Sequence, residues 1–269
     1  MQISKPVDEI FYQRIEYYLW HETQEDRLIS RMIDIPSLQS QANIVLAQFK
    51  PGENDQHISE LIRSAKQLDL AITDWAESLP AAWAYTIATN LDLSSRTSST
   101  GVDFYPSHIH RYSDFSIARI WNLYRISRLI ILSIVLRAAS KLWPRLSNHK
   151  RDTDRIQVGR QMRELVDDIC ASVPFLSNQD LSRMALKLAK HGGRPDGMSE
   201  ILVKKARNSL IWPLYLGCSV PSLPDNQQTW MRTQLRRLGE LGEPQATLLS
   251  GSKCQTLSGG VERFRFYCV

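Results

Sequence analysis

The sequence predicts an all-α fold, an irregular multi-helix bundle around a central apolar helix at about residues 115–142. Apolar residues recur at spacings of three and four along most of the chain, which is the period of an amphipathic helix. The stretch between 115 and 142 is apolar on nearly all sides, as a helix at the centre of a bundle should be. With 269 residues, 43% of them apolar, the chain has room for one large core or two modest ones.

Helices are predicted throughout the first part of the chain. Residues 7–48 mix aromatic and aliphatic side chains at helical spacing, which indicates one or two helices. Pro36 and then residues 50–55 interrupt this pattern, and the second interruption is the better loop because it combines proline, glycine and short polar residues. Between His57 and Leu79 the apolar residues predict one amphipathic helix, whereas residues 90–101 predict a loop.

The central helix has recognisable ends. Ser113 or Asp114 can cap its first turn, since a short side-chain oxygen accepts from exposed amide groups there. Its most apolar run, Leu129–Leu136, is much shorter than the roughly 20 residues of a membrane span, so it predicts a core segment. Pro144 should end the helix, because the residue before a proline is pushed out of helical geometry.

The second half of the chain predicts further helices separated by proline and glycine. Residues 152–173 form one helix that Pro174 should stop. Residues 191–197 predict a loop because three of them are glycine and one is proline. Residues 202–218 predict a helix that Pro213 should kink or restart.

The last helical pattern covers residues 226–249, where two glycines and a proline limit its regularity. From residue 250 the composition changes, and residues 250–269 fit neither a helix nor a linker. We expect this tail to be poorly ordered or the product of an incorrect gene prediction. Residues 1–249 are therefore expected to form a single helical domain.

Charge and cysteine usage exclude some classes of protein. A net charge of +5 is a mild excess for this length and only weak evidence for a nucleic-acid surface. The cysteines (Cys170, Cys218, Cys254 and Cys268) are far apart and form no Cys-x-x-Cys pair, so no structural zinc module is expected. Isolated thiols in a chain of this size suggest a reducing compartment. The first ten residues are too polar for the core of a signal peptide.

Two motifs could suggest a metal or an acid–base site, but each has a simpler interpretation. His108-x-His110 offers two imidazoles in a predicted loop, with no third or fourth ligand nearby in sequence. Asp167 and Asp168 are adjacent on a predicted helix, so their side chains point about 100° apart and should not converge on one substrate. A solvated helix face is the favoured interpretation of this pair.

No catalytic motif stands out. His191-Gly192-Gly193 lacks the nucleophile elbow that would accompany an oxyanion loop, and these glycines lack the spacing of a phosphate-binding loop. Arginines on the central helix are expected to extend along the core and pair with carboxylates rather than bind phosphates; they are Arg119, Arg125, Arg128 and Arg137. Short basic clusters at residues 204–207 and 232–237 predict solvated faces.

Several blocks, in order along the chain, carry a resemblance to a known family. They are Trp75-x-x-x-Leu79-Pro80-x-x-Trp83, Tyr105-Pro106 to Arg125, Ile169-x-x-Ser172-Val173-Pro174-Phe175, Trp212-Pro213-Leu214-Tyr215, and Trp230 to Ala246. Over roughly residues 61–249 the chain resembles the fungal-specific regulatory domain of zinc binuclear cluster (Zn2Cys6) transcription factors. The matching residues look like packing and turn positions.

This resemblance implies an all-helical regulatory domain, C-terminal to a DNA-binding cluster that holds zinc with six cysteines. The cluster and its basic linker are missing here, and the upstream part of the regulatory domain looks shortened. The resemblance therefore implies control of RNA polymerase II transcription in a full-length nuclear protein, no direct DNA binding by this chain, and zinc only in the missing cluster. It implies no catalytic, cofactor-binding or metal-binding residue in this chain. The partners that it implies are a second copy, co-regulators or a small-molecule inducer, and it implies no contact with a membrane.

Three functional hypotheses follow, led by a fragment, or a truncated gene prediction, of such a nuclear regulator. The second is a stand-alone helical module, in the nucleus or the cytoplasm, that receives a small molecule or a partner helix in an apolar groove. The residues expected beside that groove are Trp121, Tyr124, Trp212 and Tyr215. The third is an enzyme built on the same scaffold, and it is the least favoured because no catalytic motif is present.

Overall fold

The computed structural model describes residues 23–88, 104, 106–142, 148–177, 200–221, 223–252 and 255–258. The side chains of residues 148–154 and 200–203 are not part of this description. The predicted loops at 90–101 and 191–197 lie outside the described residues, as does residue 144. The same holds for residues 1–22 of the predicted N-terminal helices and for residues 259–269 of the predicted tail.

The described residues form an all-α multi-helix fold with one short sheet, and the predicted fold class is confirmed. The helices are α1 (Gln24–Met32), α2 (Ile35–Ala47), α3 (Asp55–Glu77), α4 (Phe115–Leu142), α5 (Asn148–Leu176), α6 (Glu200–Asn208), α7 (Ile211–Gly217), α8 (Asp225–Glu240) and α9 (Pro244–Ser250). The strands are β1 (Thr86–Ala88) and β2 (Ile109–Arg111), and single 3-10 turns cover Ala81–Trp83 and Thr256–Ser258.

The first helices begin and end at residues suited to those positions. Thr23 caps α1 by accepting from the backbone amide of Asp26, whose carboxylate accepts in return from the backbone amide of Thr23. Pro36 lies in the first turn of α2, where a backbone N–H would have no helical partner. In the loop at residues 50–55, Gly52 has a φ of 90°, a conformation that side chains disfavour.

Helix α4 is the central helix, and it has the predicted bounds. The backbone amide of Ile117 donates to Asp114 Oδ1 at 2.9 Å, so Asp114 is the cap. Most of the helix is buried on every side, including the run Leu129–Val135. It packs against α1, α2 and α3 as well as α5, α6 and α7. Because so many elements meet on it, α4 organises the core.

Of two helix boundaries predicted near prolines, the one at Pro174 is wrong and the one at Pro213 is confirmed. Helix α5 was expected to stop before Pro174, but it continues through this proline to Leu176. Pro174 removes only one helical hydrogen bond so close to the end, and the Val173 carbonyl still accepts from the Ser177 amide at 2.8 Å. Pro213, by contrast, lies in the first turn of α7, so the restart predicted for residues 202–218 is confirmed.

The last helical pattern is divided into two helices. Gly242 has a φ of 95° and lies in the turn between α8 and α9. Beyond α9, Thr256–Ser258 form a 3-10 turn that packs against α4, within the tail that was predicted to be poorly ordered or wrongly assigned to the gene. Leu257 is buried in the core. The folded part therefore extends past residue 250.

The sheet is a feature that the sequence analysis missed. Strands β1 and β2 pair antiparallel, with Ile87 opposite His110. His110 was expected in a loop but lies at the centre of β2, where it is buried. This strand packs against α5 and so brings its histidine to the bundle core.

Within the part of the chain that the structure describes, no helix combines the length and the apolar character that crossing a bilayer requires.

Candidate functional site

A group of buried polar side chains lies where β2 meets α4 and α5. We call it the Arg125 cluster, and it consists of His108, His110, Tyr112, Asn122, Arg125, Asp168 and Ser172. Arg125 is at its centre with an exposed fraction of 0%. Charged side chains are almost never fully buried unless they are paired, so the partners of this arginine define the site.

Helices and a strand position five members of the cluster, and His108 and Tyr112 directly flank that strand. Asn122 and Arg125 are three residues apart on α4, and Asp168 and Ser172 are four apart on α5, so each pair shares one helix face. His110 comes from β2, the strand that packs on α5. The cluster thus joins three elements that are distant in sequence.

The guanidinium of Arg125 is held by several acceptors. Its Nη1 donates to Tyr112 Oη at 2.9 Å and to Asn122 Oδ1 at 2.8 Å. Its Nη2 lies 3.1 Å from Nδ1 of His110. Burial alone would lower the pKa of Arg125, but Tyr112 and Asp168 raise it, so the group stays charged.

His110 is a neutral imidazole of defined tautomer. Because arginine can only donate, Nδ1 of His110 must accept from it, and the ring proton is on Nε2. Burial lowers the pKa of His110 to about 2, and the positive charge of Arg125 acts in the same direction. The Nε2–H group points toward Asp168 Oδ1 at 3.6 Å.

Asp168 is the carboxylate on which the cluster converges. Its Oδ2 lies 3.6 Å from Nε of Arg125, and its Oδ1 lies 3.9 Å from Nε2 of His108. The buried Nε of Arg125 and Nε2 of His110 have no partner within hydrogen-bonding distance, although both face this carboxylate. Burial raises the pKa of Asp168, and Arg125 opposes that effect. A small movement of Asp168 would complete either contact.

Aromatic rings cover the cluster. The Tyr85 ring lies over His110 with 4.1 Å between centroids. Cζ of Arg125 is 5.3 Å from the centroid of Tyr85 and 5.7 Å from that of Trp121, which are favourable distances for a cation above a ring. Burial raises the pKa of Tyr112 to about 12, so this hydroxyl stays protonated at neutral pH. The rings shield the guanidinium from water.

His110 and Ser172 are suited to binding and positioning rather than to acid–base catalysis. An imidazole with a pKa near 2 takes up no proton at neutral pH. Ser172, the aliphatic hydroxyl of the cluster, donates to the Ile169 carbonyl at 2.7 Å and accepts from Nδ2 of Asn122 at 2.9 Å. It therefore has no base to activate it.

The paired aspartates diverge as the sequence predicted. Asp167 accepts from Nε2 of Gln227 at 2.8 Å, whereas Asp168 faces Arg125 and the histidines. The expectation of a solvated face is wrong for Asp168, because packing of β2 and α4 on α5 half-buries its carboxylate. The same packing gives His108-x-His110 a third ligand candidate, which the sequence analysis did not find.

The predicted pairing with carboxylates is confirmed for Arg119 and Arg128, whereas the partner of Arg137 is an amide. Arg128 forms a bidentate ion pair with Asp69, in which Nε donates to Oδ1 at 2.8 Å and Nη2 donates to Oδ2 at 2.9 Å. Arg119 donates to Glu25 Oε1 at 2.6 Å. Arg137 donates to the side-chain oxygen of Asn43 at 3.3 Å. These contacts tie α4 to α1, α2 and α3.

The four aromatic residues of the predicted groove occupy two neighbourhoods. Trp121 and Tyr124 pack with the ring of Trp75 on α3. Trp212 and Tyr215 contact each other on α7 at 5.8 Å between centroids. Tyr124 is 8% exposed and Tyr215 is 1% exposed, so these two contribute mainly to the core. The groove stays a prediction.

A cavity of about 530 Å³ lies elsewhere, between α5, α7 and α8. Its lining consists of Val173, Ser177, Leu210, Leu214, Gln234, Arg237, Leu238, Glu240 and Leu241. Four of these nine residues are leucines and four are polar or charged, and the hydroxyl of Ser177 is buried there without a hydrogen-bond partner. None of the four predicted groove residues is among these lining residues, but Leu214 directly precedes Tyr215 on α7.

Comparison with known proteins gives one similarity. The chain is 31% identical over 157 residues to the transcription factor dbaG of Emericella nidulans. The match covers 56% of this chain and 34% of that protein, so it spans about a third of the relative's length. No family model matches the chain, and no solved structure matches it. The chain is therefore similar, over more than half of its length, to a fungal transcription factor.

Proposed function

We propose that this chain is the regulatory part of a fungal transcription factor that controls RNA polymerase II transcription in the nucleus. The observation that carries the proposal is the 31% identity to a named transcription factor over 157 residues. The all-α fold agrees with the regulatory domain that the sequence resembles. In the full-length form we expect DNA binding to come from a zinc binuclear cluster outside this chain, with a second copy or a co-regulator as partner.

The site geometry supports a regulator more than an enzyme. The Arg125 cluster holds its polar groups in fixed contacts and contains no activated nucleophile among the described residues. The arginines Arg119, Arg128 and Arg137 of α4 tie three neighbouring helices to it. Such a network suits a domain that transmits a binding event through packing.

A fusion experiment tests the proposed role in transcription. Residues 1–269 are joined to a heterologous DNA-binding domain in a fungal host that carries the matching operator before a reporter gene. We expect reporter transcript levels to rise or fall relative to the DNA-binding domain alone. A fusion carrying the cluster variant Arg125→Met should lose this effect. An unchanged reporter, with the fusion present in the nucleus, would contradict the proposal.

Duplex binding by the isolated chain is the accompanying control. A protein that contacts 6–10 phosphates loses roughly 10³–10⁵ in affinity between about 50 and 200 mM salt. With a net charge of only +5, this chain should bind duplex DNA weakly at both salt concentrations, as measured by fluorescence anisotropy. Tight binding that weakens steeply with salt would show that the chain binds DNA by itself.

The cavity supports a second candidate function, the binding of a small apolar inducer. Its 530 Å³ falls within the roughly 300–1,000 Å³ of small-molecule sites, and leucines form much of its wall. A ligand at a hundredfold excess over its Kd stabilises the native state by about 2.7 kcal/mol, which a thermal-shift screen of apolar compounds detects. Ser177→Leu should reduce the shift because the larger side chain occupies part of the cavity, whereas Ser140→Leu, at an exposed position on α4, should keep it.

A further inference from the structure

We propose that His108, His110 and Asp168 form a binding site for a divalent transition metal ion, with Zn²⁺ as the ion that suits it. Two imidazole nitrogens and one carboxylate oxygen are donors that zinc accepts, and three protein ligands with an open fourth position is a recurrent arrangement for it. This inference is independent of the proposed role in transcription.

The donor atoms already lie close together. One ligand atom from each residue falls within 4.8 Å of the others. Oδ1 of Asp168 is 3.6 Å from Nε2 of His110 and 3.9 Å from Nε2 of His108. Tetrahedral zinc with bonds of about 2.0–2.1 Å separates neighbouring ligands by about 3.3 Å. The two carboxylate–imidazole separations exceed this value by only a few tenths of an ångström, whereas the widest separation, up to 4.8 Å, must shrink by about 1.5 Å.

A buried atom without a partner points to a ligand at this place. Nε2 of His110 has no hydrogen-bond partner, although its residue is 0% exposed. A buried polar group without a hydrogen-bond partner is costly. Nε2 of His110 faces the same carboxylate oxygen of Asp168 as Nε2 of His108 does. A metal ion between these three atoms would supply the missing partner of Nε2 once the ring proton of His110 moves to Nδ1.

The surroundings orient two of the ligands. Nδ1 of His108 lies 3.2 Å from the hydroxyl of Ser107, which can accept a hydrogen bond from a protonated Nδ1 and so leave Nε2 for the metal. Asp168 directs Oδ1 toward the histidines and Oδ2 toward Nε of Arg125. A carboxylate ligand whose second oxygen faces a guanidinium is held in place for coordination.

Arg125 also sets the cost of binding. Coordination through Nε2 of His110 moves its proton to Nδ1, which then donates to the Tyr112 hydroxyl at 3.2 Å. Nη2 of Arg125 must then move away from Nδ1 of His110. Nη1 keeps its hydrogen bond to Asn122, and the rings of Tyr85 and Trp121 still face the guanidinium. This rearrangement makes the site weaker than a closed structural zinc site, and metal binding becomes linked to the packing of α4.

The site is open to solvent on one side. His108 and Asp168 have side chains 23% and 34% exposed, whereas His110 forms the closed side. Water or another small ligand can supply the fourth position from this opening. A bound ion would link β2 to α5, because His110 lies on β2 and Asp168 lies on α5. The third ligand, His108, directly precedes β2.

Cobalt titration of the untagged full chain tests the proposal, because Co²⁺ reports its geometry in its visible absorption. We expect one equivalent of tetrahedral Co²⁺ with nitrogen and oxygen ligands, displaced by Zn²⁺ but not by Mg²⁺. Loss of a second-shell partner typically weakens a metal site about 10- to 100-fold, so loss of a ligand in His108→Asn should weaken binding by at least about tenfold. His108 is the safest position to change, since it is the more exposed of the two histidines.

His57→Asn is the matched control, because His57 is an exposed histidine on α3 away from the cluster. It should bind Co²⁺ as the unaltered chain does. Circular dichroism establishes that each variant keeps its helix content. The proposal is overturned if no cobalt band forms, if His108→Asn weakens binding less than tenfold, or if the spectrum shows a thiolate charge-transfer band that places the ion on cysteines.

Discussion

Replacing Arg125 with methionine should lower the free energy of unfolding by about 3–5 kcal/mol, the cost of removing one partner from a buried ion pair. Methionine keeps most of the side-chain length but removes every donor. Asn122 Oδ1 and Tyr112 Oη then lose the guanidinium that satisfies them, and Asp168 loses its nearest positive charge. The loss is large because Asn122 and Tyr112 are buried, where water does not replace the missing donor.

Urea denaturation followed by circular dichroism measures this effect. Arg119→Met on the same helix is the control, since Arg119 forms a partly exposed ion pair with Glu25 and its loss should cost at most about 1 kcal/mol. Adding Asp168→Asn to Arg125→Met should cost less than the sum of the two single changes, because the pair is coupled. An Arg125→Met protein within about 1 kcal/mol of the original would mean that the cluster contributes little to stability.

The central helix could be predicted from sequence because its signals are local. The apolar run around Leu129–Leu136 leaves no polar face, and Asp114 stands where a cap is required. The bounds Phe115–Leu142 follow from these two features and from Pro144 just beyond. Boundaries near Pro174 failed, since a proline in the last turn removes too little to end a helix.

The Arg125 cluster could not be assembled from sequence, because its members meet only when three elements pack. Asp168 lies far along the chain from both His110 and Arg125, and no local spacing connects them. One signal was available. A helix predicted to be buried on all sides must also bury its polar residues, so Asn122 and Arg125 required buried partners. The sequence thus indicates that a polar cluster exists but not which residues complete it.

The short sheet also escaped prediction. Each strand has three residues, too few to display the alternation that distinguishes a strand from a loop. Its pairing depends on residues 86–88 and 109–111 being brought together across a long connection. His110 was therefore predicted to lie in a loop. A loop prediction does not indicate that this ring faces α5, whereas its place on β2 does.

Replacing Trp75 with alanine should also destabilise the fold by about 3–5 kcal/mol, as large aromatic-to-alanine changes in cores do. Trp75 is fully buried on α3, and its Nε1 donates to the Gln24 carbonyl on α1 at 2.9 Å. Its ring lies 5.9 Å from Trp121 and 5.8 Å from Tyr124, both on α4. One side chain therefore joins three helices, and its removal leaves a cavity and an unpaired edge in each neighbouring ring.

Thermal and urea unfolding of Trp75→Ala and Trp75→Phe separate volume from hydrogen bonding. Phenylalanine keeps part of the packing and removes only the indole donor and one ring, so its loss should be clearly smaller than that of alanine. Leu70→Ala on the same helix is the control, because Leu70 is 61% exposed and its change should stay within about 0.5 kcal/mol. If Trp75→Ala were as mild as the control, the block from Trp75 to Trp83 would have to serve binding rather than packing. The observed contacts of Trp75 with α1 and α4 argue for packing.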